Sequence, residues 1–449
     1  MKGGLSMLQE ITRDTLSFIL EPVFRDYARM YLEIYESFQE QVESFGLPFE
    51  ARDAARAETE SLLRELKARP EIEARCEDAS LVYRHISSAC EACRMGLRSV
   101  TCHISFQCHR RCFFCFNPNQ ENYEEHRETK NDWRAELDAI HAEGGCLTHI
   151  ALTGGEPLLH PEDSAAFFRH ARELFPEAHL RLYTSGDLLT EQLAAALGAA
   201  GLDEIRFSYK MEDPPVLQEK VLRNMEMAKR YIPCLMVEMP VMPEAEEAMR
   251  ALLRRFEAIG VWCVNLLELC FPYHNAPAFR DRGYLLRNPP YRTLYNFWYA
   301  GGLPVAGSEL VALRLLRFAT DEGLDLGLHY CSLENKNFGQ IYHQNAPGRE
   351  DDPTLLFSPR DFYLKTVKAF GADAERVRRL LEKRGSTRYR YDADGGFIQF
   401  HPELAGQLRG RGVELALSVN VLEEREGGAI CRELKLLRAT AQDCAPDKL

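Results

Sequence analysis

The chain has no run of about 20 uninterrupted apolar residues, so it is not expected to cross a membrane as a helix. Its first residues, MKGGLSMLQEITRD, lack the apolar core of a secretory signal peptide. It also lacks an excess of positive charge. Fifty-five Lys and Arg stand against 68 Asp and Glu, a net charge of −13. That excludes a diffuse basic face for nucleic acid and leaves only a local basic channel open. There is no internal repeat and no low-complexity tract. With 45% hydrophobic and 27% charged residues, the composition is that of a globular chain, not a disordered one. Cysteine, by contrast, is present in number: 14 in 449 residues. A chain of two to four domains buries its core without disulfide staples. In the reducing cytoplasm expected for it, clustered thiols point to metal or redox chemistry.

Four segments are expected. Residues 1–86 read as a helical region. From Thr15 to Phe45 the apolar residues recur at steps of three and four, with Pro22 bending or splitting the pattern, and a second helical run covers Ala51 to Ala68. Residues 87–334 alternate short apolar runs with amphipathic stretches. Strands are predicted at Thr101–Phe106, Thr148–Leu152, Leu180–Tyr183, Glu204–Tyr209, Leu235–Val241, Cys263–Leu269 and Asp325–Tyr330. Helices are predicted near 130–143, 162–174, 189–199, 217–231, 245–258 and 308–322. Such alternation argues for an α/β fold with parallel strands, in a barrel or an open sheet. Residues 271–300 read as a long connection and 335–360 as a linker rich in Asn, Pro and Gly. Residues 361–449 read as a separate α+β piece, with a helix at Arg376–Lys383 and strands at Thr387–Tyr391, Gly396–His401, Val413–Leu422 and Ile430–Leu437.

In a β/α barrel the chemistry sits at the C-terminal ends of the strands. Directly after the first predicted parallel strand lies QCHRRCFFCF, with Cys108, Cys112 and Cys115. Gaps of three and two residues put three thiols on one tight loop. Three thiolates can hold three corners of a cubic iron–sulfur cluster, whereas such clusters usually take four cysteines. The missing fourth ligand leaves one iron open. Structural zinc prefers four closed ligands at paired CxxC spacings, and no fourth cysteine follows within 25 residues.

CxxxCxxC with an aromatic, Phe114, before the last cysteine resembles the signature of the radical S-adenosylmethionine (radical SAM) superfamily. Leu152-Thr153-Gly154-Gly155-Glu156-Pro157, after the next strand, resembles that family's GGEP motif. Thr184-Ser185-Gly186 is similar to its polar ending of the third strand, and Val264–Leu269 falls where its sixth strand belongs. The resemblance covers about 100–270. It implies a partial (β/α)6 TIM-like barrel. It further implies a [4Fe–4S] cluster on Cys108, Cys112 and Cys115, whose open iron binds the amino and carboxylate groups of S-adenosylmethionine. One electron then yields a 5′-deoxyadenosyl radical that takes a hydrogen atom from substrate. By the same resemblance Phe114 lies near the adenine, and the Gly154-Gly155-Glu156 edge meets the methionine amino group. Ser185 and Ser208 contact carboxylate or ribose. The acid Glu268 reads either as a polar residue facing adenosine or substrate, or as an ordinary paired acid.

A second set of cysteines stands apart. Cys90 and Cys93 form a CxxC before the first parallel strand, and His329 and Cys331 stand two apart, on one face of a predicted strand. If that strand lies near the first, these four could hold a second iron–sulfur cluster or a zinc ion. CxxC, CxxxCxxC and a later His-Tyr-Cys-Ser with Lys336 resemble a little-characterised radical SAM subgroup whose members carry pyruvate-formate-lyase-activase-like labels. Glycyl-radical activases are usually shorter and lack this CxxC, so the label is set aside. The remaining cysteines, Cys76, Cys102, Cys146, Cys234, Cys263, Cys270, Cys431 and Cys444, have no ligand-like spacing and read as small buried residues, Cys270 being the reserve ligand. The SPASM cysteine string, a cobalamin domain and a ferredoxin-like run are absent.

The expected substrate is a peptide or protein side chain or a small metabolite. An electron donor such as flavodoxin or ferredoxin is the expected partner, and the setting is oxygen-poor because an open-iron cluster is oxygen-labile. The competing reading is a non-catalytic zinc or iron–sulfur scaffold. A barrel enzyme with structural cysteines and no radical does not explain the GGEP motif.

Overall fold

The computed structural model describes residues 8–295 and 302–449. The last residues of the expected connection 271–300 lie outside them. Two compact units make up the chain: one of residues 46–290 and 297–337, the other of 1–45, 291–296 and 338–449.

The first unit is built on a nine-stranded sheet: β1 Ile72–Arg75, β2 Ser80–Tyr83, β3 Ser99–His103, β4 His149–Thr153, β5 His179–Thr184, β6 Glu204–Ser208, β7 Cys234–Val241, β8 Cys263–Glu268 and β9 Gly327–Cys331. Their order across the sheet is β1-β2-β9-β8-β7-β6-β5-β4-β3. From β3 to β9 every neighbouring pair is parallel. The six strands of the expected partial TIM-like barrel are all present, and β9 adds a seventh parallel strand beside β8. An antiparallel hairpin, β1 and β2, extends the sheet beyond β9. The hairpin corrects the expectation of an all-helical stretch up to residue 86. The helices between strands are Trp133–Ala142, Pro161–Leu174, Glu191–Ala199, Pro215–Ala228 and Glu246–Ile259, with Ser308–Glu322 before β9.

Alternation along each strand divides the sheet into two chemically different faces. Ile150, Leu152, Leu180, Leu182, Ile205, Phe207, Val237 and Val264 join one continuous apolar core under the helices. The opposite face carries Arg181, Glu204, Arg206, Glu238, Asn265 and His329, all buried. These polar groups answer one another. Arg206 reaches Glu204 at 2.5 Å and Glu238 at 2.8 Å. Asn265 Nδ2 donates to Glu238 at 2.8 Å.

The second unit is an antiparallel sheet with helices on both faces. Its strands run in the order Gln9–Glu10, Gly428–Ala439, Leu415–Arg425, Leu364–Phe370, Phe397–Phe400, Tyr389–Asp392, and Leu356–Phe357 pairs with Leu364–Phe370. The N-terminal pattern splits as Pro22 requires. A 3-10 turn covers Thr15–Phe18, and the helix Pro22–Glu43 begins with the proline at its first position, where no backbone N–H is needed. Phe24 of this helix stacks on Phe370 at 4.6 Å between centroids. The helix Gly371–Lys383 covers the other face with Ala374, Val377 and Leu381. The expected linker 335–360 begins inside a helix, Leu333–Asn345.

Glu204 dictates how the first unit responds to acid. Burial alone would push its carboxyl up. The charge of Arg206 and hydrogen bonds from His179 and Ser87 outweigh burial and bring it to about 2. The stability it contributes is therefore complete above its ordinary value of 4.5 and is lost as pH falls toward 2. Glu204→Gln should destabilise the protein by ~3 kcal/mol at neutral pH, the cost of stranding a buried partner. It should also flatten the acid limb of a denaturation curve between those pH values. An unaltered acid limb would refute the assignment.

Candidate active site

Cys108, Cys112 and Cys115 occupy the loop that leaves the C-terminal end of β3. The loop lies against the neighbouring strand ends without intervening side chains. Gly154 has φ +113°, a conformation that side chains rarely adopt. A Cβ on Gly155 would stand 2.0 Å from the Gln107 carbonyl oxygen. Only glycine allows this approach. The Gly155 N–H donates to the Ser105 carbonyl at 3.0 Å and the Glu156 N–H to the Gln107 carbonyl at 2.8 Å. From the far side of the loop, Asn117 Nδ2 donates to the Gly154 carbonyl at 2.6 Å.

Glu156 is buried. Its carboxylate accepts hydrogen bonds from Thr184 Oγ1 at 2.6 Å, from the Ser185 N–H at 2.7 Å and from the Leu158 N–H at 3.1 Å. It thus ties the end of β4 to the end of β5. Ser185 Oγ lies 2.6 Å from Glu156 Oε2 and 2.6 Å from Asp187 Oδ1, one hydroxyl between two carboxylates.

Asp187 continues the chain of contacts into the cysteine loop. Its Oδ2 meets His109 Nε2 at 2.8 Å and Arg110 Nη1 at 3.5 Å. Arg110 also pairs with Asp213, beyond the end of β6. Burial would raise the Asp187 carboxyl, but the hydrogen bonds from Ser185 and His109 hold it below the usual carboxylate range. The two residues between Cys108 and Arg111 are therefore a clamp that fixes the loop to β5 and β6. Sequence reading missed it. The only local signal was the His-Arg pair inside the CxxxC gap.

A buried lysine, Lys210, donates to the Ser208 carbonyl at 3.1 Å. Burial pushes all three loop thiols up, Cys112 to about 12, and the charge of Lys210 opposes that rise at each. Thiols in this state bind metal with release of their protons. The Arg110 N–H donates to Cys108 Sγ at 3.4 Å. Three thiols at one strand end, a backbone donor to sulfur and a nearby cation are a donor set that suits an anionic cluster.

Phe114 is half-buried and meets Phe113 edge-on at 5.1 Å; Phe113 is the ring that packs inward, against Phe279 at 4.9 Å. Ser208 is paired in register with Glu238 and so faces the polar side of the sheet. Glu268, the open case, is a paired acid: it accepts from Arg287 Nη1 at 2.6 Å and from the Leu333 N–H at 2.9 Å.

The second cysteine set comes together differently. Cys90 and Cys93 sit at a short helix, Ser88–Ala92, in the segment that links β2 to β3. Arg206 Nη1 and Asn265 Nδ2 each lie 3.4 Å from Cys90 Sγ. Cys331 ends β9, and Asn335 Nδ2 donates to its sulfur at 3.4 Å. His329 has both ring nitrogens engaged: Nδ1 with Asn265 Oδ1 at 2.9 Å and Nε2 with Ser80 Oγ at 2.8 Å. Among the described residues, no three His, Cys, Asp or Glu side chains converge as a single ion would require.

Asp187→Ala removes one anchor of the loop. The loss of these charged hydrogen bonds should free the loop by about 1–3 kcal/mol. The expected readout is faster alkylation of Cys108 and Cys112 in the metal-free protein, with an unchanged circular dichroism spectrum. Unchanged labelling rates would sink the clamp.

Among the described residues, no helix is long and apolar enough to cross a membrane. A family model described as the Radical SAM superfamily matches residues 103–256. A protein of Methanocaldococcus jannaschii with the provisional name glycyl-radical enzyme activating enzyme is 25% identical over 252 residues, 55% of this chain and 63% of that protein. The chain thus spans less than two thirds of the curated relative it matches. SuiB of Streptococcus suis bound to S-adenosylmethionine is similar over 69% of this chain and 62% of its own, at 10% identity and a TM-score of 0.39. The structure of anSMEcpe with bound AdoMet and a peptide is similar over 39% of this chain and 51% of its own, at 19% identity and a TM-score of 0.31. These scores carry no information on substrate. The sheet from β3 onward, the thiol loop at its end and the matched segment agree: this chain carries a radical SAM domain, over residues 103–256.

Proposed function

We propose that the chain is a radical S-adenosylmethionine enzyme that abstracts a hydrogen atom from its substrate. The observation that carries this reading is the CxxxCxxC loop, held by backbone contacts against the Gly154-Gly155-Glu156 edge within the matched domain. Cys108, Cys112 and Cys115 would hold a [4Fe–4S] cluster. When bound, that cluster would supply the electron that splits the sulfonium bond of S-adenosylmethionine and generates the 5′-deoxyadenosyl radical.

The chain's own residues position and shield. The clamp of His109 and Arg110 on Asp187 and Asp213 keeps three thiols at fixed spacing. Lys210 favours their thiolate forms. The N–H groups of Gly155 and Glu156 are already engaged with loop carbonyls. What this edge offers the methionine amino group is therefore an acceptor, the Gly155 carbonyl. Phe114 is assigned to the adenine. Ser208 is assigned to the ribose or carboxylate. Ser185, engaged with Glu156 and Asp187, is assigned to the same contacts through its remaining lone pair.

The substrate is assigned to a peptide or protein side chain or a small metabolite. The provisional name of the Methanocaldococcus relative favours a polypeptide, and a one-electron donor such as flavodoxin or ferredoxin completes the set of partners. The setting proposed is a reducing, oxygen-poor cytoplasm.

The test is anaerobic. After reconstitution with iron and sulfide and reduction, the protein should show a brown shoulder near ~400 nm and release 5′-deoxyadenosine from S-adenosylmethionine. Cys112→Ala should lose both. A fully loaded protein whose reduced EPR spectrum ignores S-adenosylmethionine, and which makes no 5′-deoxyadenosine, would instead be the non-catalytic scaffold.

A further inference from the structure

We propose that Cys90, Cys93 and Cys331 hold a second iron–sulfur cluster, on the polar face of the nine-stranded sheet. The proposal does not depend on the reaction assigned to the first loop.

The fold brings these thiols to one face of the sheet. The segment from Arg84 to Arg98 leaves β2 and reaches β3, which lies at the opposite edge of the sheet. Ser87 pins this crossing, donating to Glu204 Oε2 at 2.6 Å. Cys90 then meets the polar face at Asn265, whose Nδ2 stands 3.4 Å from its sulfur, and Asn265 lies in register with His329, two residues before Cys331 on the same face of β9; Cys93 follows at the end of the helix Ser88–Ala92.

Their surroundings are built for sulfur that carries charge. Cys90 has Arg206 and Asn265 at 3.4 Å, and Cys331 has Asn335 at 3.4 Å. N–H donors to ligand sulfurs are a means by which proteins stabilise and tune such clusters. Arg181, Arg206 and Lys336 all act on Cys93. Two of these cations are incompletely satisfied: Arg181 Nη1 and Arg206 Nη2 are buried with no hydrogen-bond partner among the described residues. Orphaned, buried guanidinium N–H groups are costly, and an anionic group beside them removes the cost. A cluster with three thiolates supplies such an anionic group.

A zinc ion fits less well. Structural zinc asks for a closed set of four protein ligands. His329 is the nearest fourth donor in sequence. Its Nδ1–H donates to Asn265 and its Nε2 accepts from Ser80, so neither nitrogen is open. A cluster takes three cysteines and leaves its fourth iron to a small ligand.

Metal counting tests this directly. The anaerobically reconstituted wild-type chain should hold about eight irons and eight sulfides. Cys90→Ser/Cys93→Ser and, separately, Cys331→Ala should each hold about four. The converse variant, Cys108→Ala/Cys112→Ala/Cys115→Ala, should also keep about four and remain coloured. This arm does not require the second-set variants to fold. About four irons in the wild type, none in the converse variant, or one zinc per chain in place of the second four irons would each overturn the proposal. Failure of 5′-deoxyadenosine release with eight irons bound would leave it standing and count against the reaction alone.

Discussion

The candidate site depends on a backbone approach that tolerates no side chain. At Gly155 even a methyl group would fall 2.0 Å from the Gln107 carbonyl oxygen, far inside van der Waals contact. The glycines therefore serve the thiol loop before they serve any ligand. They let two N–H groups at the end of β4 take the carbonyls of the segment leading into Cys108. Glu156 then fastens that edge to β5, and Asp187 fastens β5 back to the loop through His109. The contacts form a closed circuit of β4, β5 and the loop, so the three sulfurs inherit the rigidity of the sheet.

The sheet itself departs from the usual barrel interior of branched aliphatic side chains. Its helix-covered face supplies the apolar burial, and its other face holds a connected set of charges and amides. Such a network is tolerated only when nearly every member is satisfied. Glu204 and Glu238 are, but Arg181 and Arg206 each keep an unanswered N–H. The stability of the fold thus rests on one face, and its chemical specificity on the other.

Much of this architecture was legible along the chain. Strands β4 to β9 announced themselves as apolar runs, and even the polar face was written in them: Glu204, Arg206 and Ser208 alternate with Ile205 and Phe207. Shorter and less regular elements were not legible. The hairpin β1–β2 turns through Cys76, Glu77 and Asp78, all at positive φ, with no glycine to mark it. The strand Leu364–Phe370 is hidden by two lysines. Lys365 is answered by Asp361 at 2.8 Å, and Lys368 by Glu433 at 2.6 Å and the Tyr27 hydroxyl at 2.8 Å. The helix Leu333–Asn345 opens on asparagines that read as a linker. At the site, the cysteines and glycines were visible as motifs. The clamp was not, because Asp187 and Asp213 meet the loop only through the fold.

The pairing of β2 with β9 sets Ser80 opposite Cys331, residues far apart in the chain. Contacts of such high sequence separation close an expensive loop and tend to form late. A nascent chain thus exposes Cys90 and Cys93 well before Cys331 has been synthesised. The CxxxCxxC loop needs only the strands that follow it directly. The order of synthesis alone separates the two thiol sets in time, and the set near Cys331 can close only once nearly the whole sheet has been made.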